Sequence, residues 1–147
     1  MEVKLVGVSD PLSRNKLRDF AQWLGDKLIG GKLVDNIKLN IIIKKFQGPD
    51  AHFHGFAEWE DSNVRPREFN ILMNANMEEE LLLETLAHEM VHVKQDARGE
   101  RKERYKGGHR LFWKGKDHTK TPYSKQPWER EAYRLEKKLL AEYLSRG

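Results

Sequence analysis

The sequence predicts a single α+β domain over residues 1–147, with a small antiparallel or mixed sheet packed on three helices. Apolar residues recur at helical spacing in three segments, which cover residues 11–30, 76–99 and 127–143. Residues 36–74 instead alternate apolar and polar positions, as strands do. The chain of 147 residues has no cysteine, so it must bury its core without disulfides, and this length allows it to do so.

The first two predicted elements are a strand over residues 3–8 and a helix that follows it. The sequence Ser9-Asp10-Pro11 supplies a cap and then a proline suited to the first turn of a helix. Apolar residues continue at helical spacing as far as Leu28, and the pair Gly30-Gly31 ends the helix.

Three strands are predicted between residues 36 and 74. Apolar residues alternate from Ile37 to Ile43, a second strand covers 53–59, and a third covers 69–73. The link at residues 60–63 has the composition of a turn. We expect these strands to form an antiparallel sheet.

The second long helix is predicted from Asn76 to Gly99. Asn76 is followed three residues later by Glu79, the arrangement of a capping box, and acidic residues favour the positive end of a helix. Residues 100–126 are polar, basic and rich in glycine, with a turn at 114–116 between two short extended pieces. Pro127 then opens the last helix, and its apolar face comprises Trp128, Ala132, Leu135, Leu139 and Tyr143.

The net charge of +4 is concentrated in one segment. Residues 94–130 contain 12 Lys or Arg and 5 Asp or Glu, whereas the rest of the chain contains 15 and 18. Aromatic residues are interleaved with these basic residues, which is typical of a surface that binds nucleic acid and also of a solubilising loop whose rings pack on the core. A nucleic-acid-binding module is therefore an alternative function.

The sequence also bears on where the protein acts. The first residues lack the pattern of a secretory signal, and no apolar run approaches the roughly 20 residues that a membrane helix needs. We expect a cytoplasmic protein with no membrane partner.

A metal site is indicated by the sequence His88-Glu89-Met90-Val91-His92, an HExxH motif inside the second long helix. Residues four apart lie above one another on a helix, so His88 and His92 can bind one ion while Glu89 can reach a water molecule beside it. Zinc in catalytic sites takes three protein ligands and keeps one position open. The motif therefore predicts a zinc site with Glu89 as the general base. In the alternative function, the same metal would stabilise a nucleic-acid-binding module, with or without protease activity.

The residues alone leave the third ligand open. Glu129 and Glu131 both lie in the first turn of the last helix, but they are about 200° apart around its axis and cannot both face the ion. His109 is the third candidate, because imidazole is a common zinc ligand. The alternating residues His52 and His54 are expected to be surface or partly buried groups.

Two groups of proteins share these motifs. The segments GFAEW and FNILMNANMEEELLLETLAHEMVH, within residues 55–92, resemble the strand pair and metal helix of SprT-like zinc metallopeptidases, the group that contains Spartan. HEMVHVKQDARGE, WKGK and PWEREA are similar to segments of small, mostly phage-encoded HExxH proteins. The resemblance covers roughly residues 55–140. It implies a zincin-like fold, zinc-dependent peptidase activity, and action in the host cytoplasm if the chain is phage-encoded.

The resemblance also implies roles for particular residues. In gluzincin-type sites a Glu in an ExxA segment is the third zinc ligand, which corresponds here to Glu129 with Ala132. This sequence has ExxAY rather than ExxAD, so the residue behind the ligands differs. Such enzymes bind the substrate along an edge strand, here residues 67–73 or 53–59. They also stabilise the oxyanion with a Tyr or His, for which the candidates are Tyr123, His118, Tyr105 and His109.

Overall fold

A computed structural model of the protein describes residues 1–146 and confirms the α+β class, while Gly147 of the predicted domain lies outside the described residues. The helices are α1 (Pro11–Leu28), α2 (Gly31–Asp35), α3 (Glu79–Ala97) and α4 (Pro127–Ser145), with 3-10 turns at Gly48–Asp50 and Tyr123–Lys125. The strands are β1 (Glu2–Val6), β2 (Lys38–Lys44), β3 (Gly55–Trp59), β4 (Glu68–Asn74), β5 (Arg101–Arg104), β6 (Arg110–Trp113) and β7 (Lys116–Asp117).

The larger sheet is mixed, with strand order β1-β2-β4-β3. β1 and β4 both run parallel to β2, and β3 runs antiparallel to β4. The prediction of an antiparallel sheet over residues 36–74 is therefore wrong for β2 and β4. The chain leaves β2, forms β3 at the edge, and returns as β4 between them, an order that alternating apolar residues do not encode.

The core lies between one face of this sheet and helices α1, α3 and α4. Strand residues Ile41 and Ile71 are completely buried, as are Phe20 of α1 and Met90 of α3. α3 packs on α1, α4, β3 and β4, so it has neighbours on most of its circumference. Its middle turns, which carry the HExxH motif, are consequently buried.

Helices α1 and α3 begin differently. At α1 the Asp10 carboxylate accepts a 3.1 Å hydrogen bond from the backbone N–H of Ser13, which confirms the predicted cap. At α3 the predicted Asn76 cap is wrong, because the helix begins at Glu79 and Glu78 is in the cap position without a side-chain cap hydrogen bond. Asn76 lies in the turn that leaves β4, and Met77 packs on the core before the helix starts.

The basic segment folds into a separate three-stranded sheet, β5-β6-β7. The predicted turn is confirmed: Trp113 pairs with Lys116, and Lys114 and Gly115 between them both have positive φ, as in a tight hairpin. Across residues 1–146, none of the helices combines the length and the apolar character that crossing a bilayer requires.

Candidate metal centre

Three side chains converge where α3 packs against the first turn of α4. His88 Nε2 lies 3.2 Å from Glu129 Oε1, and His92 Nε2 lies 3.1 Å from the same oxygen. These three ligand atoms all lie within 4.8 Å of one another. The structure thus brings together the two histidines of the motif and one of the three candidates for a third ligand.

The distance of each histidine nitrogen from the Glu129 oxygen is that expected between ligands of a tetrahedral cation. Zn–N and Zn–O bonds of about 2.0–2.1 Å at tetrahedral angles separate neighbouring ligand atoms by about 3.3 Å. The separations of 3.1 and 3.2 Å are close to that value. Both histidines are nearly buried, so they are fixed by packing.

A hydrogen-bond network determines which nitrogen of His92 carries a proton. The Gln95 side-chain N–H groups donate to the Trp128 carbonyl at 2.9 Å and to Glu131 Oε1 at 3.1 Å, both of which are acceptors. The other end of the amide, Gln95 Oε1, therefore faces His92 Nδ1 at 2.8 Å. His92 must donate from Nδ1, which leaves the Nε2 lone pair for a metal in the neutral ring.

His88 has an equivalent partner on α4. Its Nδ1 lies 3.0 Å from Glu136 Oε2, and a carboxylate there accepts the Nδ1–H. The Nε2 of His88 is then also free to bind a cation in the neutral ring. Histidine ligands of metals commonly have such a carboxylate or amide partner behind them, because it fixes both tautomer and orientation.

The electrostatics of the cluster also favour a positive charge at its centre. Burial lowers the pKa of His88, but hydrogen bonds with Glu129 and Glu136 outweigh it and raise that pKa to about 10. Burial would raise the pKa of Glu129, yet the two imidazoles hold it well below its usual range. Protons on both rings or one divalent cation can supply the positive charge that this arrangement attracts.

Glu89 is the remaining residue of the motif. Glu89 is 6% exposed, and burial raises the pKa of its carboxyl, although His92 and His88 act in the opposite direction. Its Cγ lies 3.6 Å from where a Cβ on Gly55 would be, so it lies against β3. A carboxyl with a raised pKa beside a cation site is suited to proton transfer.

A cavity of about 640 Å³ opens onto the cluster. Its walls are residues 52–57, the motif turn of α3, and α4 from Glu129 to Glu136, together with Arg101 and Tyr123. Arg101 is held in place by Asp96, whose Oδ1 accepts from Nε at 3.0 Å. The cluster is therefore accessible to a ligand along β3.

The structure separates the other two candidates for third ligand from this cluster. Glu131 accepts hydrogen bonds from Lys94 and Gln95 on another face of α4. His109 lies between β5 and β6, is 52% exposed, and contacts Glu103 at 3.4 Å. His52 and His54 are exposed at the rim of the cavity, as expected of surface residues.

The four candidates for stabilising the oxyanion lie in different parts of the structure. Tyr123 lines the cavity, and its hydroxyl lies 3.1 Å from that of Tyr133. Burial, followed by contact with Tyr133, raises the pKa of Tyr123, so its hydroxyl remains a donor at neutral pH. Tyr105 and His109 both contact Glu103, and His118 contacts Thr121, all away from the cluster.

Sequence reasoning missed three residues of this site, namely Gln95, Tyr133 and Glu136. Helical spacing held a signal for two of them. Gln95 lies three residues after His92, and Glu136 lies seven residues, two helical turns, after Glu129. Tyr133 occupies the position where the sequence has ExxAY rather than ExxAD.

Comparison with known proteins gives no relative. No protein-family model matches the chain, and no match is found among the curated proteins or the solved structures. The resemblance to SprT-like and phage-encoded proteins therefore stays a prediction.

Proposed function

We propose that the protein is a zinc-dependent peptidase. The observation that supports this most directly is the cluster of His88, His92 and Glu129, with Glu89 buried beside it and a cavity leading to it along β3. The Nδ1 atoms of both histidines have acceptors, which is the arrangement that leaves both Nε2 lone pairs available to one cation.

Each residue has a distinct role in this proposal. A zinc ion, when bound, would polarise a peptide carbonyl and make a water molecule more acidic. The Glu89 carboxylate accepts the proton that the attacking water loses and passes it to the departing amine. The Tyr123 hydroxyl donates a hydrogen bond to the carbonyl oxygen as negative charge develops there.

The topology supports one of the two predicted substrate strands. The predicted segment 67–73 corresponds to β4. This strand has β2 on one side and β3 on the other, so its backbone groups are already paired. β3 is at the end of the sheet and lies beside the cavity. A peptide pairing with β3 would pass the cluster. We propose that the fold is zincin-like, because β3 is an edge strand that runs antiparallel to the other strands and lies beside the HExxH helix.

The proposal is tested by zinc content and hydrolysis together. Purified protein should contain one zinc per chain by elemental mass spectrometry and should cleave members of a broad peptide library. Glu89→Gln should retain zinc and lose hydrolysis by at least about a hundredfold, since general acid–base catalysis contributes on that order. Sub-stoichiometric zinc, or unchanged hydrolysis in Glu89→Gln, would show that the proposal is wrong.

A second candidate function is nucleic-acid binding by the β5-β6-β7 sheet. Cross-strand pairing places Lys102 beside Phe112 and Arg104 beside Arg110 on one face, and the three basic residues are exposed. Arg110 contacts Asp117 at 3.4 Å, whereas no salt bridge within residues 1–146 involves Lys102 or Arg104. A basic face with an aromatic ring is suited to a nucleic-acid backbone.

A gel-shift assay at several salt concentrations tests this second candidate. Binding should weaken steeply as salt is added, because phosphate contacts release counterions. Arg104→Glu should weaken it, and Lys4→Glu on β1, a basic position on the other sheet that is also exposed, should not. Absence of any shift at low salt would exclude this function.

A further inference from the structure

The cavity at the cation site continues as a groove along β3. A second cavity of about 310 Å³ is lined by residues 57–59 together with Arg101 and Glu103, and it shares Ala57 and Arg101 with the first. The groove therefore follows all five residues of the strand, a length of about 16 Å at the usual rise of a strand.

The outer edge of β3 is free along this groove. Within residues 1–146, β3 pairs with β4 alone, and β5 on the far side of the groove pairs with β6 and not with β3. The backbone N–H and C=O groups of the edge are therefore available to an extended peptide, which is the usual way such edges bind one.

The side chains of β3 alternate between two environments. Gly55, Ala57 and Trp59 are partly buried towards the helices, and Phe56 and Glu58 are exposed on the opposite face. A peptide paired with β3 alternates in the same way. Two of its side chains, two residues apart, would lie on the outer face beside Phe56 and Glu58, where directly opposed side chains interact.

Phe56 offers a fixed apolar surface. Its ring stacks on Phe46, which is 6% exposed, with ring centroids 5.6 Å apart. The ring of Phe53 contacts it edge-on at 5.4 Å. Phe53 and Phe56 remain 44% and 39% exposed next to the cation site, so a large apolar side chain of a bound peptide can cover them.

Glu58 offers an unpaired negative charge. No salt bridge or side-chain hydrogen bond in the described part of the chain involves it, and it lines the second cavity. Across the groove, Glu103 already contacts Arg101 at 3.5 Å and His109 at 3.4 Å. A basic side chain of a peptide is the group that would compensate Glu58.

We propose that Phe56 and Glu58 select the substrate: the site prefers peptides that carry a large apolar and a basic side chain two residues apart. This inference rests on the proposed peptidase function and deepens it by naming the class of peptide. The apolar residue lies nearer the cation site, since Phe56 lines the first cavity and Glu58 the second.

Peptide binding to the zinc-loaded Glu89→Gln variant tests the selection without turnover. Fluorescein-labelled octapeptides with Lys-Ala-Phe at the centre are compared by anisotropy with Glu-Ala-Phe and Lys-Ala-Ser peptides, and those with Phe-Ala-Lys are compared with Phe-Ala-Glu and Ser-Ala-Lys peptides. One of the two orders should bind about threefold to fivefold more tightly than its Glu and Ser counterparts, the upper part of the range for single cross-strand pairs. The tighter order reports the direction of the peptide relative to β3.

Variants of the two residues complete the test. Adding Glu58→Lys should reverse the preference to the Glu peptide, while Glu2→Lys, the same change on the exposed edge strand β1, should leave it unchanged. Phe56→Ser should remove the preference for Phe over Ser, and Phe56→Leu should restore most of it. Equal affinity for all six peptides, with zinc content and wild-type hydrolysis intact, would overturn this inference alone. Absence of zinc and hydrolysis would overturn both proposals.

Discussion

His92 Nδ1 donates a 2.8 Å hydrogen bond to Gln95 Oε1, one helical turn further along α3. The orientation of the Gln95 amide is itself fixed, because its N–H groups donate to Trp128 and Glu131 of α4. A contact between two helices thus leaves the free lone pair of His92 on Nε2, the nitrogen that faces Glu129.

Gln95→Leu should therefore weaken zinc binding about tenfold to a hundredfold, the usual effect of losing a group behind a ligand. Zinc affinity is measured by competition with a chromophoric chelator. The matched control is Gln22→Leu on α1, which removes a different side-chain hydrogen bond, to the Met1 carbonyl. Equal zinc affinities for wild type and Gln95→Leu would contradict the role given to Gln95.

Glu129 and Glu131 provide a matched pair that tests the third ligand. Glu129→Gln should reduce zinc affinity by more than about a hundredfold, since a ligand should matter more than a group behind one. Glu131→Gln removes a charge from the same helix turn but keeps an oxygen that can accept from Gln95, so zinc should remain stoichiometric. Elemental analysis after dialysis distinguishes them, and zinc loss in Glu131→Gln with retention in Glu129→Gln would reverse the assignment.

Zinc should also stabilise the fold. A ligand present at a hundred times its Kd adds about 2.7 kcal/mol to the free energy of unfolding, which for a domain of this size raises Tm by about 5–10 °C. Calorimetry with zinc and with EDTA measures the difference. His92→Ala should abolish the difference and His109→Ala should preserve it, because His109 lies outside the cluster.

The features of the site that follow from a single helix are the ones that could be predicted from the sequence. His88 and His92 lie four residues apart on one helix, so their common direction follows from helix geometry alone. The choice of Glu129 over Glu131 depends on how α4 rotates against α3, which the helical periodicity of α4 leaves open. Glu136 behind His88 depends on the same packing.

The same distinction explains where the predicted fold differs from the structure. The turn at Lys114 and Gly115 is set by neighbouring residues and was predicted from them. The direction of β2 relative to β4 depends on where β3 lies, and no pattern within a strand records it. Asn76 and Glu79 form a capping-box pattern, but packing of Met77 on the core starts the helix later.

Gly55 should be essential for keeping β3 close to α3. A Cβ added there would lie 2.9 Å from the Leu72 carbonyl oxygen and 3.0 Å from Thr85 Cγ2, and the first of these atoms is backbone that cannot move alone. Gly55→Ala should therefore displace β3 and lower the free energy of unfolding by about 1–3 kcal/mol, as overpacking does. It should also reduce peptide hydrolysis while zinc stays bound, because the three ligand residues lie on α3 and α4.

Gly25→Ala is the matched control for this change. Gly25 is inside α1, and the atom nearest to an added Cβ is the flexible end of Met1, at 2.8 Å. Alanine is also favoured over glycine inside a helix by about 0.5–1 kcal/mol, which offsets the crowding. Urea unfolding should therefore show a large loss of stability for Gly55→Ala and little change for Gly25→Ala. Equal stabilities of the two variants would show that the close approach of β3 to α3 does not constrain this edge of the site.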